Sequence, residues 1–192
     1  MSKEQESTID FKLADSIRRL KIVRKSRINT SERLGNYSSK WEMYLLVFSI
    51  LSTILLVISI GLKDETTSRK IISGCFSMYT IILQYFVSTL NYRERALKFD
   101  YHQLEIENLI QDFQNIECED EEIKKNKYPI IMEKYQILLQ GQENHSDLDY
   151  RKANKEDSKY TRDFSLDNIF VNLQPIIGIV FVLFYIYWNG GQ

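Results

Sequence analysis

The sequence MYLLVFSILSTILLVISIGL, residues 43–62, is the strongest structural signal in the chain, because its 20 residues include no Asp, Glu, Lys or Arg. Two further stretches share this length and character: IISGCFSMYTIILQYFVSTL at residues 71–90 and IFVNLQPIIGIVFVLFYIYW at residues 169–188. A helix needs about 20 apolar residues to cross a hydrocarbon core of about 30 Å. All 25 basic and 26 acidic side chains lie outside the three stretches. The sequence therefore predicts an all-α integral membrane protein.

The third stretch is less regular than the other two, because Asn172, Gln174 and Pro175 interrupt its first half. Behind them, residues 176–188 form an uninterrupted apolar core of 13 residues, which would also suit a buried or interfacial segment. We expect a two-helix transmembrane hairpin followed by a third, C-terminal transmembrane helix.

The chain is predicted to consist of five segments that differ in composition. They are a basic amphipathic helical region at residues 1–42, the transmembrane hairpin at 43–92, a cytoplasmic helical region at 93–150, a polar linker at 151–168 and the third transmembrane helix at 169–188. Ser165 or Asp167 is predicted to cap the last helix. No segment alternates at period two, and the 7 glycines and 2 prolines offer little turn chemistry for a sheet.

An amphipathic helix is predicted ahead of the first span, since four aliphatic residues recur at the helical spacing: Ile9, Leu13, Ile17 and Leu20. Its basic side chains suit anionic lipid headgroups, and the alternative is a solvated face on a helix that packs against the other polar segments. Thr30 or Ser31 is predicted to cap a second helix that continues into the first span.

The region after the second span is predicted to contain two helices. The first covers residues 93–116, with an apolar stripe that begins at Leu97, Tyr101 and Leu104 and drifts to Leu109, Phe113 and Ile116. The acidic run 117–122 is predicted to end it. Pro129 is then expected to begin a helix at residues 129–140 that presents Ile131, Tyr135 and Leu138, with Gly141 as its stop signal. A cytoplasmic bundle, or helices that pair between protomers, accounts for this pattern.

Basic residues predict the orientation of the spans. Nine of them lie between residues 12 and 40, and others follow the second span and precede the third. The positive-inside rule then puts the N-terminus and residues 91–168 in the cytoplasm, with the short hairpin 63–70 outside. No apolar segment precedes the first span, which is expected to act as its own insertion signal.

Polar residues form a stripe along the second span. At 100° per residue they share an arc of about 80°. The stripe consists of Ser73, Ser77, Thr80, Gln84, Ser88 and Asn91. Small polar residues let transmembrane helices approach and hydrogen-bond, which favours a packing face. The same residues would also suit the wall of a wide, unselective pore in an oligomer, since the stripe holds no charge for an ion-selective filter.

No catalytic, cofactor or metal site is predicted. The chain has only two histidines, His102 and His145, and no phosphate-binding loop or zinc motif. His145 lies in the polar cluster 143–150, where a metal site with Glu143, Asp147 or Asp149, or a hydrolase pair with Ser146, is the functional alternative. The cluster is better explained as a capped turn at a helix start. The net charge of −1 gives no reason to expect direct binding to nucleic acid.

Four short motifs around the hairpin resemble one family when taken in order. They are RINTSERL at residues 27–34, YRERA at 92–96, YQILL at 135–139 and ENHSDLDY at 143–150. Together they resemble the SLATT family, the two-span membrane effector domains found beside nucleotide-signal synthases and sensors in bacterial conflict systems. The Glu-Asn-His-Ser element resembles a subfamily that includes reverse-transcriptase-linked members. The third apolar run lies outside the two-span description.

The resemblance implies an antiviral effector in the bacterial inner membrane. Such a protein would oligomerise, be triggered by a partner or a nucleotide signal, and permeabilise the membrane in abortive infection. Membrane lipid, further copies of the chain and a signal-generating synthase, sensor or reverse transcriptase are its implied partners. The matching positions become candidates for assembly or sensing: Arg27, Glu32, Arg33, Arg93, Glu94, Arg95, Glu143, Asn144, His145, Asp149 and Tyr150. The alternative is a membrane anchor or scaffold with no conducting state.

Overall fold

The computed structural model describes residues 8–61, 67–140, 143–144, 146–154 and 163–190. Within these ranges every regular element is a helix and none is a strand, which confirms the all-α prediction. The helices are α1 (Ile9–Gly61), α2 (Thr67–Leu90), α3 (Tyr92–Glu117), α4 (Glu121–Leu139), α5 (Asp147–Ala153) and α6 (Leu166–Gly190).

The helices form two compact units. The polar unit takes the described residues within Met1–Leu34 and Glu94–Arg162, and the membrane unit takes those within Gly35–Arg93 and Asp163–Gln192. The first part of α1 therefore belongs to the polar unit and the rest of it to the membrane unit.

α1 is one helix of 53 residues, so the prediction of two helices before the first span is wrong. The Thr30 hydroxyl lies 3.0 Å from the carbonyl oxygen of Ser26, one turn earlier in the same helix, and 2.9 Å from Asp149 Oδ2, so its single proton is shared between two acceptors. The Ser31 hydroxyl donates to the Ala96 carbonyl oxygen over 3.0 Å. A threonine or serine that bonds in this way is compatible with a helix interior, and neither residue is a cap.

α2 and α3 are separated by a single residue, Asn91, whose φ is 48°. This left-handed conformation is one that asparagine adopts more readily than most residues. One left-handed residue interrupts the helical backbone, so the two helices are distinct elements.

α4 begins at Glu121, eight positions before Pro129, so the predicted start at the proline is wrong. Glu121 and Glu122 lie in the first turn, where acidic side chains favour a helix start through the helix dipole. Pro129 lies inside the helix, where its ring removes one backbone donor and crowds the carbonyl group four residues earlier, at a cost of about 3 kcal/mol. The burial of apolar side chains such as Ile131 works against that cost. Gly141 lies outside the described residues.

The core of the polar unit is built from α1, α3 and α4. It confirms the apolar stripe predicted on α1 and the later part of the stripe on α3. The buried residues are Leu13, Ile17, Leu20, Ile106, Leu109, Ile110, Phe113, Ile116 and Ile131. Tyr135 and Leu138 pack against this core as partly buried residues. Each fully buried aliphatic or aromatic side chain contributes about 1.5–3 kcal/mol.

The first three residues of the predicted α3 stripe lie outside this core. Leu97, Tyr101 and Leu104 are 50%, 67% and 50% exposed, so they take no part in the core of their own chain. Ala96, Phe99 and His102 are buried on the opposite side of the helix instead.

The membrane unit contains the apolar parts of three helices, α1, α2 and α6, each long and apolar enough to cross a membrane. Phe76 on α2 is in ring contact with Phe48 on α1 and with Phe181 on α6, at centroid distances of 5.9 and 4.4 Å. Gly178 faces Phe48 so closely that an added Cβ would lie 2.6 Å from Cε1 of that ring. These contacts place α6 within one packed three-helix unit.

Polar residues that interrupt the third apolar stretch are satisfied within the membrane unit. Gln174 is buried, and its Oε1 accepts a hydrogen bond of 2.7 Å from the Tyr79 hydroxyl. Asn172 accepts one of 2.9 Å from Lys40. The Ser165 hydroxyl accepts from the backbone N–H of Asn168, which confirms Ser165 as the cap of α6. Because these groups are paired, α6 continues as one helix past Pro175.

Candidate functional site: an arginine clasp

The polar unit contains a buried ion pair between the first helix and the polar cluster near residue 149. Arg33 Nη2 donates to Asp149 Oδ2 over 2.8 Å, and the aspartate side chain is fully buried. The Arg33 side chain is only 15% exposed. Breaking one partner of a buried pair typically costs about 3–5 kcal/mol, because the other charge is left uncompensated.

Asp149 is held by several further groups. Its Oδ2 accepts hydrogen bonds of 2.9 Å from the Thr30 hydroxyl and 2.7 Å from the Ser146 hydroxyl. Asn29 donates to its backbone carbonyl oxygen over 3.1 Å. Ser146 is also the N-cap of α5, where it accepts from the backbone N–H of Asp149. The capped-turn interpretation of the cluster is therefore confirmed for Ser146.

Glu143 is held by two other arginines. Arg95 Nε donates to Glu143 Oε2 over 3.0 Å, and its Nη2 donates to the other carboxylate oxygen. Arg27 Nη1 donates to the Glu143 backbone carbonyl oxygen over 2.7 Å. We call the set formed by Arg27, Arg33, Arg95, Glu143 and Asp149 the arginine clasp. It fixes the start of α5 and the residues before it to α1 and α3.

Arg27 is the most deeply buried arginine of the clasp, at 2% exposure. Burial holds the pKa of its guanidinium below the ordinary value, and nearby Tyr135 and Glu143 offset part of that effect. Its guanidinium carbon lies 5.2 Å from the centroid of the Phe99 ring, which gives the charge an aromatic face. Among the described residues, no group hydrogen-bonds its Nε.

The side chains of the arginine clasp bind one another through ion pairs and hydrogen bonds. Their arrangement does not resemble a catalytic centre. The Ser146 hydroxyl is occupied by Asp149 and by Arg33, which donates to it over 3.3 Å. In the part of the chain that the structure describes, no group of three His, Cys, Asp or Glu residues is arranged to hold a metal ion. His145 lies outside the described residues, so its metal and hydrolase alternatives stay predictions.

The remaining candidates for assembly or sensing are not members of the clasp. Arg93 belongs to the membrane unit, where it lies 4.0 Å from Glu42 in an exposed pair. Asn144 is exposed beside Glu143, and Glu94 forms an exposed pair with Lys98. Tyr150 is 38% exposed and follows Asp149 on α5.

The predicted polar stripe on α2 is divided between two environments. Ser73 and Thr80 are buried, and Ser77 hydrogen-bonds Ser52 of α1 over 2.7 Å between hydroxyl oxygens. The second half of the stripe, consisting of Gln84, Ser88 and Asn91, is exposed. One half therefore packs within the chain, and the other half is directed away from the helices of its own unit.

Two residues of the site were not predicted from the sequence. Asn29 was not named as a candidate, and Thr30 was named only as a helix cap. A signal for Thr30 was present in the sequence. The apolar stripe of α1 continues at alternating spacings of three and four through Val23, Arg27, Thr30 and Leu34. Polar residues at core positions of a helix indicate buried partners elsewhere in the chain.

A cavity of about 490 Å³ lies next to the clasp within the polar unit. Its wall includes Tyr128 and Tyr135 of α4, Tyr150 of α5, and Lys12 and Arg19 of α1. Its volume is within the range of small-molecule sites. One residue of this wall, Tyr150, is adjacent in sequence to Asp149 of the clasp.

His102, on α3, is another buried titratable group of the polar unit. It is 2% exposed, and its Nε2 lies 2.8 Å from the carbonyl oxygen of Leu138, one residue before α4 ends. Free carbonyls at a helix end need a donor, and this ring supplies one. Burial lowers the pKa of His102 below 6.5, and the positive charge of Arg27 adds to that effect.

The polar unit is expected to lose stability as the pH falls below 6.5. Because the folded-state pKa of His102 is depressed, the unfolded chain binds this proton first, so the loss begins near 6.5 and ends once the pH passes the folded-state value. The measurement is thermal unfolding in detergent between pH 7.5 and 5. His102→Gln keeps a donor without the titration and should flatten the slope; an unchanged slope would contradict the assignment.

The sequence profile of the SMODS and SLOG-associating 2TM effector domain family 5 matches residues 9–189. The chain belongs to the SLATT family. The match confirms the resemblance drawn from the four motifs, while the subfamily suggested by the Glu-Asn-His-Ser element stays a prediction. Comparisons with curated proteins and with solved structures gave no match.

Membership in this family bears on the function of the SLATT chain and on the number of its spans. The family description suggests a membrane-associated effector in conflict systems, and it is not that of an enzyme. The description counts two spans, whereas the match extends into α6 and the described residues include three candidate spans. The third helix therefore lies inside the matched region, although the description counts only two spans.

Proposed function

We propose that this SLATT protein is an antiviral effector that oligomerises in the bacterial inner membrane and permeabilises it when a partner or a nucleotide signal releases the arginine clasp. The N-terminus and residues 91–168 would then face the cytoplasm, where the signal arises. Signal synthases, sensors and reverse transcriptases encoded nearby are the proposed sources of the trigger.

The observation that carries this proposal is the exposed half of the polar stripe. Gln84 is a long amide side chain on a helix of membrane-spanning length, and it is exposed with Ser88 one turn further on. An amide in hydrocarbon with no partner costs several kcal/mol, roughly 2–7. Polar residues in a membrane accordingly face a bundle interior or an aqueous cavity. In an oligomer, this face of α2 would line the path.

The arginine clasp supports the proposal that a signal regulates the effector. Arg27 and Arg33 lie on α1, the helix that also carries the first apolar stretch, and Arg95 lies five residues after α2 ends. Glu143 and Asp149 are thus attached to residues close in sequence to both spans. A trigger that competes for these arginines, or occupies the adjacent cavity, would change the contacts of both helices.

The test is membrane potential, read with a voltage-sensitive dye in bacteria that express the chain or a variant. Gln84→Leu should abolish depolarisation, because it removes the polar group from the proposed wall. Thr89→Leu is the matched control, since Thr89 is an exposed polar residue on the other side of α2. Both variants should reach the membrane at the parent's level.

Depolarisation by the parent and by Thr89→Leu, but not by Gln84→Leu, is the expected result. Equal depolarisation by all three would contradict the stripe as the wall. If the parent fails to depolarise even when its proposed signal source is co-expressed, the anchor or scaffold alternative is favoured instead.

A further inference from the structure

α3 carries an exposed row of uncharged side chains that takes no part in the core of its own chain. Leu97, Tyr101 and Leu104 begin the row, at 50%, 67% and 50% exposure. The row continues with the exposed amides Asn108, Gln111 and Asn115. Three large apolar residues one turn apart on the free side of a helix are typical of a helix-pairing surface.

The spacing of this row is that of a coiled-coil seam. Its six members follow one another at intervals of four and three residues, which is the a/d repeat of paired helices. The core face of α3 is separate, since Phe99, Ile106 and Phe113 are buried at 3%, 0% and 0% exposure. The helix therefore has a second face of regular register, about 27 Å long at 1.5 Å per residue. We call it the α3 seam.

The charges that flank the α3 seam are largely neutralised within the chain. Lys98 pairs with Glu94 over 2.8 Å. Glu107 pairs with Arg24 over 2.6 Å, and Asp112 pairs with Lys134 over 3.2 Å. A surface that is uncharged along its length and neutralised at its edges is complementary to a copy of itself, because pairing brings few uncompensated charges together.

We propose that the α3 seams of two copies pair in parallel, so that this face is an assembly surface of the oligomer. The inference rests on the proposed function for the existence of an oligomer and names the surface that forms it. Copies inserted in the same orientation present α3 in the same direction. Asn108 at a core position of the seam sets the register of the pair, as polar residues do at such positions.

Repulsion between acidic side chains opposes this pairing. Asp100 and Glu105 are the flanking acids without an ion pair among the described residues, and in a parallel pair they face each other across the seam. Like charges at this separation weaken a helix pair. Glu105→Lys should therefore strengthen the pair, which distinguishes this register from nonspecific apolar contact.

Disulfide crosslinking in membranes tests the α3 seam directly. Both native cysteines, Cys75 and Cys118, are replaced by serine, and Leu104→Cys is introduced into the full chain. Because Leu104 is exposed, the change leaves the core intact. Oxidation should give a covalent dimer. Lys21→Cys, an exposed position on α1, is the control and should give little dimer.

Three further variants in the Leu104→Cys background show whether the crosslink depends on the α3 seam. Leu97→Glu should abolish the crosslink, and Glu105→Lys should raise its rate roughly two- to threefold. Ile137→Glu changes an equally exposed aliphatic residue on α4 and should leave it unchanged. No dimer at Leu104→Cys, as much dimer at Lys21→Cys, or a dimer insensitive to Leu97→Glu would overturn the proposal.

Membrane potential in the same cells separates this proposal from the proposed function. Crosslinking that depends on the α3 seam, without depolarisation in any state, supports the seam and contradicts permeabilisation. Depolarisation that survives Leu97→Glu supports permeabilisation and contradicts the seam as its assembly surface.

Discussion

Replacing Asp149 by leucine while Arg33 stays in place is expected to destabilise the polar unit by about 3–5 kcal/mol. The Arg33 guanidinium would remain only 15% exposed and would lose the Asp149 carboxylate, and the hydroxyls of Thr30 and Ser146 would lose the same acceptor. For a unit of this size the loss lowers the unfolding midpoint by roughly 10 °C or more. Thermal unfolding of the purified chain in detergent measures it.

The double variant Arg33→Met with Asp149→Leu should recover most of this loss, because it also removes the buried arginine that has lost the Asp149 carboxylate. Asp147→Asn is the matched control. Its pair with Arg151 is one turn along α5, and the Asp147 side chain is 74% exposed, so the change should cost less than about 1 kcal/mol. Equal effects of Asp149→Leu and Asp147→Asn would show that the buried pair does not hold the segment.

Gly178→Leu is expected to disrupt the packing of the three helices in the membrane unit. The first side-chain atom would already lie 2.6 Å from Phe48, whose ring is buried against Phe76. Overpacking of this kind typically costs about 1–3 kcal/mol, and more where the neighbour cannot move. Resistance to unfolding by SDS, titrated into purified protein in detergent, measures the loss.

Gly74→Leu is the control for this change, since nothing lies within 4 Å of the position of its Cβ. It should be nearly neutral. Adding Phe48→Ala to Gly178→Leu should restore part of the lost stability by making room for the new side chain. Equal tolerance of leucine at both glycines would contradict the packed position of α6.

The fold was largely predictable, because the helical period and the apolar lengths act locally. The stripe from Ile9 to Leu20 and the three apolar stretches became helices as expected. Helix ends were less predictable, since they depend on distant partners. Thr30 has the chemistry of a cap, yet its hydroxyl is satisfied by Ser26 and by Asp149, 119 residues away. Pro129 has the chemistry of a helix start, yet two glutamates eight residues earlier provide a better one.

The site was predictable in part. The motifs singled out Arg27, Arg33, Arg95, Glu143 and Asp149, and the structure brings all five together. Spacing alone could not separate Arg95 from Arg93, which differ by half a turn of helix and belong to different units. The α3 stripe shows the same limit. A period identifies a face, and only the tertiary contacts determine whether that face is buried in its own chain.

Dye efflux from vesicles containing the purified chain tests the central claim most directly. Arg95→Ala with Glu143→Ala removes a half-exposed pair of the clasp at little cost in stability and should release the dye faster than the parent. Adding Gln84→Leu to that variant should return efflux to the level of empty vesicles. Full insertion of all three proteins with no efflux from any of them would contradict a clasp-controlled, membrane-permeabilising effector.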